Sequence, residues 1–496
     1  MSKYKCKCGY EFESEGIKND YVCPNCGAKS DAFIKSEELV DVIDSMLEEV
    51  TEIETQKIVN ETIEDKKIKI SPYNPAIVRI SEKCINCGQC KKTCENVVNL
   101  RYDMKKSKDP ICLGCGQCLL NCPTGAIVPR YCYHDLKATI LSNDKIVVGI
   151  IAPAVRVALG ELFNLNPGDN VEKKIVTALK KLGFDYVFDT AFGADLTIME
   201  EVTEFAKRLK EGLELPQFTS CCPAWIKYAE IYHPELLNNI STCKSPIGMQ
   251  CSMIKSYFAE EKKFDPSKIV TVAITPCTSK KMEAKEYTPD IDYVLTTSEF
   301  AIYLKEEDID IRNLSDSNYD TILGDSSGAG VIFGNTGGVT ESAIRTLYKM
   351  LTKESLKKDD LNFEELRGYK GIKEATVKIN KYTIKVAVVQ QMENLETILK
   401  DNYYKKFHFI EVMNCKGGCI GGGGQPLCAI PKLDEVRAQR AEGLYKIDKK
   451  RPNKFAYNNK ELKQLYKNYL KNPLGEKSMK LLHTTYTDKS NLLNEK

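Results

Sequence analysis

A multidomain α/β protein is the fold class that the sequence predicts, on two observations. From about residue 145 to 431, short apolar runs at 145–152, 186–188, 269–274, 293–295, 382–389 and 407–412 alternate with stretches of helical periodicity at 171–182 and 196–210. Such alternation implies parallel sheets covered by helices, arranged as two lobes, each around its own sheet, with a site between them. Ahead of that region, cysteines gather in close pairs and runs, which in a large chain read as metal or redox ligands rather than disulfides.

Composition narrows the chemistry. The chain has 496 residues, long enough for several domains with their own cores. Its 71 basic and 69 acidic residues leave a net charge of +2, so no bulk electrostatic attraction to nucleic acid or membrane arises. The N-terminus lacks an apolar signal core and no run is long enough to span a bilayer, so cytoplasmic residence is expected. Cysteine is the outlier, at 21 residues against 4 histidines. That imbalance favours thiolate sites, iron–sulfur or zinc, over imidazole sites. It also argues against His-dependent acid–base chemistry, so protons would travel on Cys, Glu, Ser and water.

Residues 1–35 carry Cys6, Cys8, Cys23 and Cys26 in two close pairs across a short polar loop, able to supply four tetrahedral thiolates. This stretch resembles a short rubredoxin module, with one residue rather than two between Cys6 and Cys8. Iron would make it an electron relay and zinc a structural clip. Residues 36–75 are rich in Glu, Asp, Ile and Lys, with Leu39, Ile43, Met46 and Leu47 spaced as on one helix face, and are expected to form a helical linker.

Residues 76–132 hold two copies of one run: Cys84-x2-Cys87-x2-Cys90-x3-Cys94 and Cys112-x2-Cys115-x2-Cys118-x3-Cys122-Pro123. This is the spacing of bacterial two-cluster ferredoxins, in which the fourth cysteine of each run ligates the other cluster. A ferredoxin-like α+β domain is therefore expected. One [4Fe–4S] cluster would use Cys84, Cys87, Cys90 and Cys122; the other would use Cys112, Cys115, Cys118 and Cys94.

In the region 145–431, three segments follow apolar runs: Thr219-Ser220-Cys221-Cys222-Pro223-Ala224-Trp225, Thr275-Pro276-Cys277-Thr278-Ser279-Lys280-Lys281-Met282-Glu283 and Glu411-Val412-Met413-Asn414-Cys415-Lys416-Gly417-Gly418-Cys419. Strand ends in open α/β sheets converge on one crevice, so four thiols from these loops could meet. The three segments resemble the signature of [FeFe]-hydrogenases, over roughly residues 76 to 490, and the rest of this reading is what that resemblance implies. Cys222, Cys277, Cys415 and Cys419 would bind the [4Fe–4S] part of an H-cluster. Cys419 would bridge to a two-iron subsite carrying CO, cyanide and an azadithiolate. Cys221 would pass protons, through Glu201, Ser241 and Glu204, toward Arg208. Lys280 would donate to a cyanide, Met413 would pack on the cluster, and Glu283 would orient the local network. Lys281 suits a solvated role.

Departures from the commonest form are Ala224 in place of Gly and Thr275 in place of Met. With Cys243 and Cys251 close to the same segments, they resemble a group B subclass. Thr275 would bring a hydroxyl to the two-iron subsite. Cys132 and Cys428 are expected to be core residues. Residues 432–496 are charged, Tyr-rich and helical in pattern, resembling the wrap that some hydrogenases carry as a small subunit, with packing as its expected role. The expected activity is reversible 2H⁺ + 2e⁻ ⇌ H₂, with a ferredoxin-type electron partner and radical-SAM maturation proteins. The rival readings are an H₂-sensing regulatory hydrogenase and a hydrogenase-like iron–sulfur protein without the two-iron subsite.

Overall fold

The computed structural model describes residues 2–6, 11–15, 22, 24, 33–35, 66–100, 110–356, 364–365 and 371–493. They fall into two units, Met1–Lys66 and Lys67–Lys496. The first contains a three-stranded antiparallel sheet in which β1 (Ser2–Cys6) lies between β2 (Glu11–Ser14) and β3 (Phe33–Lys35). Cys6 closes β1, whereas Cys8, Cys23 and Cys26, and residues 36–65 of the expected helical linker, lie outside the described residues.

The second unit opens with an irregular stretch, 67–76, most of it in the segment where a helical linker was expected. Ile68 there is buried beside Cys90 and Cys118. Strands β4 (Ile77–Arg79) and β5 (Ile127–Pro129) pair antiparallel, Val78 opposite Val128. Between them sit two short helices, Gln89–Asn96 and Gln117–Leu120, each entered through a left-handed glycine, Gly88 and Gly116. Glycine takes that conformation without the Cβ penalty, which lets a helix start directly on a cysteine-bearing turn.

Two larger sheets follow. The four-stranded sheet is all parallel in the order β10 (Tyr293–Thr296), β9 (Ile269–Thr275), β6 (Ile146–Ile151), β7 (Tyr186–Asp189). Every residue of β9 is buried, as a strand covered on both faces requires. Alternate residues of β6 serve two cores: Val147 and Ile151 pack on one side, Val148 and Ile150 on the other.

The five-stranded sheet runs β11 (Glu364–Glu365), β12 (Ile372–Ile379), β13 (Tyr382–Gln390), β14 (Phe409–Met413), β8 (Gln217–Phe218). It is mixed, which corrects the expectation of parallel sheets throughout. Strands β13, β14 and β8 are parallel, but β12 and β13 form an antiparallel hairpin around Asn380, whose φ is 53°. Exposed Thr376 and Lys378 alternate with buried Ala375, Val377 and Ile379 along β12, the pattern of a strand with one wet face.

The helix expected at 196–210 is longer, Thr190–Glu211. It starts directly from β7, with the Asp189 carboxylate accepting from the Ala191 N–H as N-cap, and ends at left-handed Gly212. Asp189 also anchors a buried ion cluster: Arg156, fully buried, donates to Asp189 at 2.5 Å and to Glu172 at 2.9 Å, and Arg451 reaches Glu172 at 2.5 Å. Arg451 follows the C-terminal helix Leu433–Lys450, so this cluster ties residues 433–493 to the four-stranded sheet. Among the described residues, no helix is long and apolar enough to cross a membrane.

Candidate functional site

The three cysteine segments leave the carboxyl ends of β8, β9 and β14. Strands β8 and β14 are neighbours in one sheet and β9 belongs to the other, so the loops meet between the two lobes, at the crevice that the topology favours. There they line a cavity with about 740 Å³ of empty space, counting its solvent-open part. Cys222, Cys277, Cys415 and Cys419 all face it, together with Cys221, Thr275, Lys280 and Met413. Ala152, Ile247 and Phe333 supply apolar wall. A larger, open cleft of about 1170 Å³ beside Gly168 and the C-terminal helix contains no cysteine.

Burial raises the thiol pKa of Cys222, and lifts Cys277 to about 11 and Cys419 to about 12. Without a cation these groups would stay protonated at neutral pH, so an electropositive centre is what would hold them as thiolates. The backbone supports the charged form. Cys222 sits at the start of helix Pro223–Tyr232 and receives the N–H groups of Ala224 and Trp225; Cys277 receives those of Ser279 and Lys280. Gln117 Nε2 lies 3.2 Å from Cys415 Sγ. Four convergent thiols backed by N–H donors fit a thiolate-ligated iron–sulfur group.

Lys280 is nine-tenths buried, donating to Glu283 and, at 3.4 Å, to the Cys221 carbonyl. Burial pulls its pKa down, but the adjacent Glu283 carboxylate, with Cys277 and Cys221, outweighs that and raises it. Glu283 in turn accepts from Ser245 Oγ at 2.5 Å.

From Cys221 a chain of buried polar groups runs away from the cavity. Glu201 is buried with Oε1 unpartnered, and its nearness is felt at Cys221. Burial, then the Glu204 charge, pushes the Glu201 carboxyl up to about 8. Ser241 Oγ donates to Glu204 Oε2 at 2.8 Å, and Arg208 donates to Glu204 Oε1 at 2.7 Å. Both glutamates belong to helix Thr190–Glu211 and face inward, where an isolated reading would place them in solvent.

The doubled cysteine run is also brought together. Cys84, Cys87, Cys90 and Cys122 line one small cavity. Cys118 is raised by burial and then by the charges of Cys94, Cys115 and Cys112, which places those four side by side. This second group adjoins the main site: Thr278 Oγ1 donates to Gly114 O at 2.6 Å and Ser279 Oγ to Leu113 O at 2.7 Å. Close backbone approach is required there. A Cβ on Gly423 would stand 2.5 Å from the Cys115 carbonyl oxygen and 2.6 Å from Gly116 Cα. Gly423→Ala is expected to force the two loops apart at a cost of about 1–3 kcal/mol, seen as a lowered apparent melting temperature.

Several expectations need correction. Lys281 is buried, paired with Glu299 at 2.8 Å and 3.4 Å from Cys132 Sγ, rather than solvated. Cys132 and Cys428 are half-buried, not core. Cys251 is fully buried in helix Pro246–Met253 and does not face the cavity. The C-terminal segment does more than pack: Tyr486 OH donates to Ser241 O at 2.9 Å, and His483 lies against Thr242 and Glu200.

Sequence reasoning missed Gln117, Asn414 and Glu411. Both polar side-chain atoms of Asn414 are buried beside Cys415, and its side chain supports the charged form of the Cys115 thiol. Glu411 interrupts an apolar strand, and that interruption was the available signal. Its carboxylate accepts from Gly337 N and Thr340 N at the start of helix Gly338–Thr352, and burial raises it to about 7.

Comparison with known proteins places this geometry. Residues 145–423 match the family described as iron only hydrogenase large subunit, C-terminal domain, and residues 434–489 match the iron hydrogenase small subunit. The chain is 40% identical to the NADP-reducing hydrogenase subunit HndD of Solidesulfovibrio fructosivorans, over 84% of this chain and 75% of the relative. It is 38% identical to iron hydrogenase 1 of Clostridium pasteurianum, over 85% of this chain and 78% of that one. The solved apo [FeFe]-hydrogenase of Chlamydomonas reinhardtii superimposes with a TM-score of 0.65 at 37% identity, covering 72% of this chain and 98% of that chain. The protein whose two sheets close around these four cysteines belongs to the iron-only, or [FeFe]-, hydrogenase family.

Proposed function

We propose that this oxidoreductase acting on hydrogen catalyses reversible 2H⁺ + 2e⁻ ⇌ H₂ at the cavity between its lobes, and belongs to the group B subclass. One observation carries the reading: four thiols from three strand ends share one cavity with a fifth thiol, Cys221, and a buried ammonium, Lys280. Cys222, Cys277, Cys415 and Cys419 would hold the [4Fe–4S] part of the H-cluster, with Cys419 also meeting the two-iron subsite. When bound, that group supplies the redox centre and the Lewis acid–amine pair at which H₂ is split or formed. Lys280, kept charged by Glu283, presents a donor to anionic ligands in the cavity. Met413 and Phe333 keep water out, and Thr275 offers a hydroxyl.

Cys221, Glu201, Ser241 and Glu204 move protons between the cavity and Arg208. The unpartnered oxygen of Glu201 is free to take or give one, and Ser241 joins it to Glu204. Electrons would arrive through two [4Fe–4S] clusters, one on Cys84, Cys87, Cys90 and Cys122 and the other on Cys112, Cys115, Cys118 and Cys94. The second adjoins the catalytic site through Gln117 and Thr278. An iron or zinc ion on Cys6, Cys8, Cys23 and Cys26, a ferredoxin-type partner, radical-SAM maturation proteins and a cytoplasmic setting complete the proposal.

Hydrogen evolution from a reduced viologen, followed across pH, tests it. Glu201 holds its proton below about 8 and loses it above, so the parent's evolution rate is expected to fall as pH rises through that value. Glu201→Gln should evolve hydrogen about 10²-fold or more slowly and lose the inflection. An unchanged profile in the variant removes Glu201 from the route, and no hydrogen from fully matured parent removes the reading.

A further inference from the structure

Outside these thiol sets, the described residues bring three other metal-binding side chains together. One ligand atom each from Glu204, Cys243 and His483 lies within 4.8 Å of the others, and all three residues are buried. They come from distant parts of the chain: helix Thr190–Glu211, the segment after Ile240, and the C-terminal segment. Cys243 and His483 oppose each other across an isolated β-bridge. We propose that Glu204, Cys243 and His483 form a site for a divalent cation of the zinc class, and that a cation bound there blocks the outer half of the proton route. The blocking role rests on the relay proposed above; the site itself does not.

A carboxylate, a thiol and an imidazole are the donor set of zinc, and three protein ligands leave a fourth position for water. The surroundings are those of a metal-binding histidine. Such a residue donates its second ring nitrogen to a carboxylate, which fixes the ring and strengthens the ligand. His483 Nε2 lies 3.3 Å from Glu200 Oε2, which leaves Nδ1, now 2.7 Å from Thr242 Oγ1, for the ion. Glu200 is fully buried and is itself held by Tyr466 OH at 2.6 Å and Leu474 N at 2.7 Å.

The carboxylate of Glu204 can serve without losing its anchor. Arg208 occupies Oε1, whereas Oε2 accepts from Ser241 Oγ and Thr242 N, contacts that a cation would replace. Binding would release the Cys243 thiol proton, leaving one thiolate and one carboxylate to neutralise the dication. A cavity with about 330 Å³ of empty space, lined by Cys243, Lys244, Thr484 and Tyr486, lies alongside as a way in. An ion drawing on Glu204 Oε2 takes the oxygen to which Ser241 donates, so the hydrogen-bonded connection between Glu201 and Arg208 is cut.

The test uses matured holoenzyme equilibrated with Zn²⁺ and freed of loose metal. Zinc content is compared between the parent, Cys243→Ala and His483→Gln, each checked for an intact iron–sulfur absorption spectrum. The parent is expected to retain about one zinc equivalent more than either variant, since three protein ligands hold zinc far better than two. Zn²⁺ should also slow hydrogen evolution in the parent several-fold more than in the variants. Because the N-terminal cysteines are unchanged, zinc held there cancels. Equal zinc in all three proteins overturns the site. Zinc lost in the variants while the parent's rate ignores Zn²⁺ upholds the site and refutes the relay role of Glu204. Should one variant fail to fold, the other carries the comparison.

Discussion

Cys221→Ala is expected to lower hydrogen turnover by about 10²–10⁴-fold while the iron–sulfur content stays that of the parent. Cys221 faces the cavity but is additional to the four thiols at the strand ends, so its removal takes away none of the proposed cluster ligands. What is lost is a protic side chain that faces the cavity and feels the charge of Glu201. Alanine leaves a hydrocarbon gap, and the next acid, on helix Thr190–Glu211, then has no partner across it. Cys221→Ser, which keeps a hydroxyl, should recover less than the thiol because a serine hydroxyl parts with its proton far more reluctantly. Turnover by gas chromatography beside iron analysis decides the matter. Parent-like activity in the alanine variant would take Cys221 out of the route.

Arg156→Met is expected to destabilise the protein by about 3–5 kcal/mol, the range for removing one member of a buried ion pair. The guanidinium is fully buried, with Asp189 and Glu172 as its partners, and Asp189 is fully buried as well. Burial alone would raise the Asp189 pKa; Arg156 above all, then Arg451, holds it below the usual carboxylate range. A depressed carboxylate contributes its stability above its unfolded pKa and loses it as pH falls through the folded one. The gap in melting temperature between parent and variant should therefore be widest near neutral pH and narrow on acidification, as protonation of Asp189 relieves the uncompensated charge. A gap that is constant with pH would assign the loss to packing alone.

The cysteine chemistry was legible because its signal is local. Spacings such as Cys84-x2-Cys87-x2-Cys90 state which thiols can share a centre, and the apolar runs before Cys222, Cys277 and Cys415 state that each ends a strand. Parallel strands β6, β7, β9 and β10 were equally readable, since both faces are covered and their runs are continuously apolar. Strand β12 was not, because Glu374, Thr376 and Lys378 break its apolar pattern on the wetter face, and Lys373 interrupts the other. Lys281 reads as a surface residue; its partner Glu299 lies on a different helix, and only tertiary folding pairs them. The same holds for Glu200 and His483, hundreds of residues apart, and for Gln117 against Cys415. Long-range polar pairing carries no periodic trace, so the inner wall of the site was hidden while its convergent cysteines were plain.

The central claim is that the cavity between the lobes holds an H-cluster on Cys222, Cys277, Cys415 and Cys419, and infrared spectroscopy of the fully matured protein tests it most directly. Carbon monoxide and cyanide bound to iron absorb in a window where polypeptide does not. The account predicts bands from both ligands in the parent, retained in Cys221→Ala and lost when Cys419 is replaced by alanine. A matured parent with iron–sulfur absorption but no such bands would contradict it, leaving an iron–sulfur protein with a hydrogenase fold and no hydrogen chemistry.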